Sequence, residues 1–197
     1  MNDDQLHELL YQALETELGG VHIYEAAIQC AKDDDLREEW EKYHRQTTRH
    51  VELVEGALAA FGLDPSLETP GRRAVRRIGV SLVEVLQTAL AEGPPEAAQL
   101  IAAECVTLAE TKDHLNWELI GEVVKHLKGN AGKVLRAAFA EVEEQEDEHL
   151  YHTTGWSREL WIDSLGMPAV LPPPEEQKDV KTAIGAARAK QVRAEMT

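Results

Sequence analysis

The chain of 197 residues is short of several things at once. It has two cysteines, Cys30 and Cys105, too few for a disulfide framework, and that usage fits a reducing, cytoplasmic location. Aromatic residues make up 5%, no long stretch alternates apolar with polar, and neither Asn-Gly nor Asp-Gly occurs, so a β architecture is not expected. Every apolar run falls short of the roughly 18–20 residues a membrane span needs, so no membrane partner is expected. The opening Met1-Asn2-Asp3-Asp4 is acidic where a secretory leader is basic and then apolar. Basic residues are scarce too: 20 Lys and Arg stand against 36 Asp and Glu, a formal net charge of −16. Such a surface repels phosphate backbones, which disfavours nucleic acid as a partner and leaves cations as the natural ones.

The apolar residues that are present recur with a helical period. One stripe runs Leu10, Leu14, Glu17, Val21, Tyr24, Ile28, and Asp33-Asp34-Asp35 breaks it and caps a second helix. The second runs Leu36, Trp40, Tyr43, Thr47, His50, Val54, Leu58, Phe61, and Gly62, Pro65, Pro70 and Gly71 are read as its end. A connection over about 62–96 contains a short apolar piece around Val80–Leu90, read as a helix within a crossover. The third stripe is Leu100, Ala103, Thr107, Glu110, His114, Trp117, Gly121, Val124; the fourth is Leu135, Phe139, Val142, Glu146, His149, Thr153, Trp156, Leu160. Two helical hairpins joined by one long connection predict an all-α four-helix bundle over 1–164. Residues 165–197 are expected to form a Pro-rich linker and a basic, helical C-terminal tail.

Each stripe is interrupted at mid-length by carboxylate or imidazole: Glu17; His50; Glu110 and His114; Glu146 and His149. No Lys or Arg shares those stripes. An unpaired buried carboxylate costs several kcal/mol, so such groups stay protonated or hold a metal ion. Residues equidistant from the turn of an antiparallel hairpin lie side by side. A turn near 33–34 sets Glu17 opposite His50, and a turn near 129–130 sets Glu110 opposite His149. Glu146-x-x-His149 places two ligands one turn apart. Tyr24 follows Glu17, and Trp117 follows Glu110, by seven residues, two helical turns, so each aromatic lies over its own glutamate.

With these residues the chain resembles the ferritin-like superfamily of carboxylate-bridged di-metal bundles. The segment Gln46-Thr47-Thr48-Arg49-His50-Val51-Glu52 and the hairpin–crossover–hairpin order are similar to the YciF-type stress-associated group. The resemblance covers about residues 5–160. It implies ligand positions for Glu17, His50, Glu110, Glu146 and His149, with Glu146 and either Glu17 or Glu110 as bridging groups. Thr47 departs from the pattern, standing where a first Glu-x-x-His would have its glutamate. His114 is the expected substitute, ahead of Asp113 and Gln46, while the pair Glu41-x-x-His44 lies off the stripe. Carboxylates with imidazoles, and no thiolate, suit iron or manganese, one or two ions. The resemblance implies redox chemistry with dioxygen or peroxide, either Fe(II) oxidation or peroxide disposal in oxidative stress. The alternative is a non-catalytic stress or binding protein with a degenerate site. A homo-oligomer, a dimer in the first instance, is the expected assembly.

Overall fold

The structure is a computed structural model and describes residues 1–170. Five helices account for nearly all of them: α1 (Asp3–Cys30), α2 (Asp34–Ala60), α3 (Pro70–Glu92), α4 (Pro95–Val124) and α5 (Gly129–Ser164). The starts are dictated locally. Asn2, Asp33 and Thr69 each accept a backbone N–H of the first turn, and Pro70 and Pro95 occupy positions where a missing N–H costs nothing. α2 closes on Gly62 at φ +70°, a left-handed value that glycine adopts without strain.

α1, α2, α5 and α4 form a square in which each helix packs on the next. The register follows from paired residues. Glu17 meets Trp117 and Tyr24 meets Glu110, so α1 and α4 are antiparallel; Tyr43 meets His152 and His50 meets Gln145, so α2 and α5 are antiparallel too. α2 and α4 therefore run the same way, which requires a connection the length of the bundle. α3 supplies it. The expected crossover piece is longer than the sequence suggested, a full 23-residue helix, because Pro70 opens a helix instead of ending one. α3 lies parallel to α1 and also touches α4. Gly19 and Gly79 let the two backbones approach: a Cβ on Gly79 would sit 3.6 Å from Gly19 Cα. Buried Glu15 receives Arg72 Nε at 2.6 Å and Arg76 Nε at 2.6 Å, so these two arginines of α3 pair with the acidic bundle.

Apolar packing divides into two clusters above and below the middle of the square. Tyr24, Leu36, Trp40, Tyr43, Ala102 and Val106 belong to one; Leu10, Leu14, Val54, Leu58, Ile120 and Leu135 belong to the other. Between them lies a layer of buried polar groups. The linker and tail expected beyond residue 170 lie outside the described residues.

Candidate metal centre

Four helices bring carboxylate and imidazole to that middle layer. α1 supplies Glu17, α2 His50, α4 Glu110, and α5 both Glu146 and His149, each no more than 3% exposed. His50 Nδ1 lies 3.2 Å from Glu146 Oε1 and 3.5 Å from Glu17 Oε2. His149 Nδ1 lies 3.4 Å from Glu146 Oε1 and 3.7 Å from Glu110 Oε2. None of these approaches is a hydrogen bond. Glu17 Oε2, Glu110 Oε2, both Glu146 oxygens and both Nδ1 atoms have no hydrogen-bond partner. Two ligand atoms each about 2.1 Å from one cation, at tetrahedral or octahedral angles, lie about 3.0–3.4 Å apart. The four imidazole–carboxylate approaches, 3.2–3.7 Å, are near that spacing, and the residues fall into two groups, Glu17–His50–Glu146 and Glu110–Glu146–His149. Glu146 belongs to both.

The outward-facing atoms of the same residues are all satisfied. Trp117 Nε1 donates to Glu17 Oε1 at 2.7 Å, and Tyr24 OH donates to Glu110 Oε1 at 2.7 Å. Each aromatic thus holds the glutamate of the opposite helix, not the one on its own helix as the seven-residue spacing suggested. His50 Nε2 meets Gln145 Oε1 at 3.0 Å, and His149 Nε2 meets Gln46 Oε1 at 3.0 Å. A glutamine carbonyl can only accept, which fixes the proton on Nε2 and turns Nδ1 toward the carboxylates. Gln46 therefore serves His149 as a hydrogen-bond partner and lies outside both groups.

The two hairpins repeat one another. Glu17 corresponds to Glu110, Tyr24 to Trp117, Gln46 to Gln145 and His50 to His149, at equal spacings. Among the centre-facing positions the match fails at two adjacent places, where Thr47 stands against Glu146 and Gly20 against Asp113. Thr47 Cγ2 lies 3.1 Å from where a Cβ on Gly20 would be, so these two residues close the gap that a second bridging glutamate would fill.

The electrostatics follow from burial plus proximity. Burial alone would lower the imidazole pKa of His50, but Glu17 and Glu146 raise it to about 11. Burial opposes the charged form of His149 as well, and Glu110 and Glu146 raise it to about 9. Burial would lift Glu146, yet His149 and His50 hold it down at about 2. Glu17 is raised, mainly by burial, and Asp113 is raised well above the usual range by burial and by the carboxylates of Glu17, Glu146 and Glu110.

His114 does not join the centre. Its Nε2 pairs with Asp147 Oδ1 at 2.8 Å, and its ring lies outside both groups. Asp113, one residue earlier, is 4% exposed with Oδ1 unpartnered and faces the centre instead. The two residues lie about 100° apart on the helix, so a step of three places Asp113 under Glu110 where a step of four had placed His114. Glu41 is exposed and His44 lies near Glu25 at 3.6 Å, away from both groups. A second polar layer had no counterpart in the sequence reading. Glu39 Oε1 accepts from Tyr43 OH at 2.6 Å and lies 3.0 Å from His152 Nδ1, while Trp156 Nε1 donates to Glu39 Oε2 at 3.1 Å. The Tyr43 ring sits 4.3 Å, centroid to centroid, from that of His149. His152 follows His149 by one turn, which was the available signal. Cys30 and Cys105 are buried in the apolar cluster beyond Tyr24 and lie outside both groups.

The described helices include none long and apolar enough to cross a membrane. No family model, curated protein or solved structure matches the chain.

Proposed function

We propose that this chain is a ferritin-like metalloprotein whose central layer holds two iron or manganese ions and reacts them with dioxygen or peroxide. One observation carries the reading: buried, unpartnered atoms of Glu17, His50, Glu110, Glu146 and His149 fall into two three-residue groups that share Glu146, with imidazole–carboxylate approaches of 3.2–3.7 Å, while every outward atom of the other four residues has a partner. The single long crossover between two hairpins, which ferritin-like bundles have, supports the same family. Bound there, such ions supply one-electron chemistry toward oxygen species. The chain does the rest. Gln46 and Gln145 hold the imidazole tautomer, Tyr24 and Trp117 orient the terminal carboxylates, and the two apolar clusters exclude bulk water from the layer. Four carboxyl groups, those of Glu17, Glu110, Glu146 and Asp113, match the charge of two divalent cations. Asp113 thus restores the negative charge that Thr47 withholds. Burial and the carboxylates of Glu17, Glu146 and Glu110 favour its protonated form in the absence of a cation.

Reconstitution with Fe(II) or Mn(II), followed by elemental analysis, tests the centre; up to two ions per chain are expected. Anomalous scattering at both edges should place them beside Glu146. A protein that retains none after reconstitution overturns the reading. Thr47 favours a second reading, a stress or binding protein that holds an ion without turning it over. In that case metal binds, but Fe(II) oxidises in air no faster than in buffer alone.

A further inference from the structure

We propose that the groove between α4 and α5 is the port through which a divalent cation reaches Glu146, an inference that rests on the metal-centre reading above. The groove holds a cavity of about 650 Å³. Its buried end is formed by Trp117, Gly121 and Glu146. Glu146 is 2% exposed and has neither oxygen hydrogen-bonded, so a polar group that needs a partner lines the inner end of an opening.

The rim has the charge to match. Glu118, Glu122, Glu143 and Asp147 line it against one lysine, Lys125, and that lysine sits on Glu122 at 2.6 Å. Glu118, Glu143 and Asp147 have no Lys or Arg within ion-pair distance among the described residues. A cleft with walls of one sign concentrates counter-ions and raises their rate of capture by about tenfold or more. His114 stands between rim and floor, its side chain 13% exposed, 2.8 Å from Asp147 and 4.0 Å from Glu118. That position makes it a stopping place for an incoming ion and gives this histidine a role outside the centre. At the corresponding place between α1 and α2, Thr47 stands where Glu146 does and packs toward Gly20, so that side offers no carboxylate in the position of Glu146, and α3 lies along α1.

Stopped-flow mixing with Co(II), whose visible absorption reports histidine and carboxylate ligation, tests the port. The rim variant E118Q/E143Q should take up Co(II) about tenfold more slowly at low ionic strength than the unaltered chain, reaching the same final stoichiometry. Added salt should slow the unaltered chain and have less effect on the variant. The control variant E84Q/E92Q, on α3, should match the unaltered chain. Equal rates in the rim variant and the unaltered chain, or equal slowing by the control, would overturn the port while leaving the centre intact. A chain that binds no Co(II) in any form would remove the metal centre, and the port with it.

Discussion

On the proposed reading, metal uptake should release protons, and the charges around the two imidazoles predict how many and from where. In the metal-free protein His50 is held near pKa 11 and His149 near 9, so at pH 7 both imidazoles carry two N–H groups. The Nε2 proton of each stays on its glutamine. The proton that must leave is the one on Nδ1, beside Glu146. Each ion therefore displaces one imidazole proton, two per chain, before any contribution from Asp113 and Glu17, whose carboxyls are also held up. At pH 7 the displacement is uphill at both histidines, and more so at His50 than at His149. Below those pKa values the apparent affinity of each position rises about tenfold per pH unit, so between pH 6 and pH 8 it should rise about a hundredfold. The sign is fixed by the upward shifts: raising the pH removes the competing proton. Calorimetric titration with Mn(II) in two buffers of different ionisation enthalpy gives the proton count directly. Release of two or more protons per two ions, with affinity climbing from pH 6 to 8, is expected. No proton release, or an affinity flat across that range, would refute ligation through Nδ1.

Glu146→Ala removes the one group common to both halves, so both ions should be lost together, with affinities down by more than about a hundredfold while far-ultraviolet circular dichroism keeps its helical intensity. Gln46→Leu and Gln145→Leu leave all ligands in place but free the rings to rotate; each should weaken metal binding by about 10–100-fold in the same titration. Thr47→Glu brings a fifth carboxyl into a layer balanced for four, so it should lower the stability of the metal-free protein by about 1–3 kcal/mol in urea unfolding. The double variant T47E/D113N, back to four, should recover most of that and bind the second ion more tightly than the unaltered chain. Arg72→Ala leaves buried Glu15 with Arg76 as its remaining guanidinium partner and should cost about 3 kcal/mol in the same urea measurement.

Much of this was legible in the sequence because helices are periodic and hairpins are symmetric about their turns. Counting from the breaks near 33 and 129 paired Glu17 with His50 and Glu110 with His149, and the structure brings both pairs to one layer. What periodicity cannot resolve is whether a stripe continues by three or by four. That single ambiguity put His114 on the third stripe and left Asp113 as a lesser candidate. Register between helices that are not sequential neighbours is likewise not written in spacing. It decides that Trp117 serves Glu17 and that Tyr24 serves Glu110, the reverse of the same-helix pairing. Pro70 misled for a different reason: proline stops one helix and starts another with equal ease, and only the Thr69 cap tells the two apart. The glutamines were undervalued because an amide one turn before a histidine looks like any surface residue until the partner helix is in place.

The near-repetition of the two hairpins has a last consequence. A centre built from two strictly equivalent halves offers any pair of occupants identical beds, and neither can be vacated or exchanged by preference. Here, among the centre-facing positions, Glu17, Gln46 and His50 recur as Glu110, Gln145 and His149, and the departures fall on one neighbouring pair, 20 with 47 against 113 with 146. The inequivalence at the centre is therefore an exchange of two small residues in one hairpin for two carboxylates in the other. It leaves the two groups that share Glu146 unlike in their surroundings, one beside Gly20 and Thr47 and the other beside Asp113.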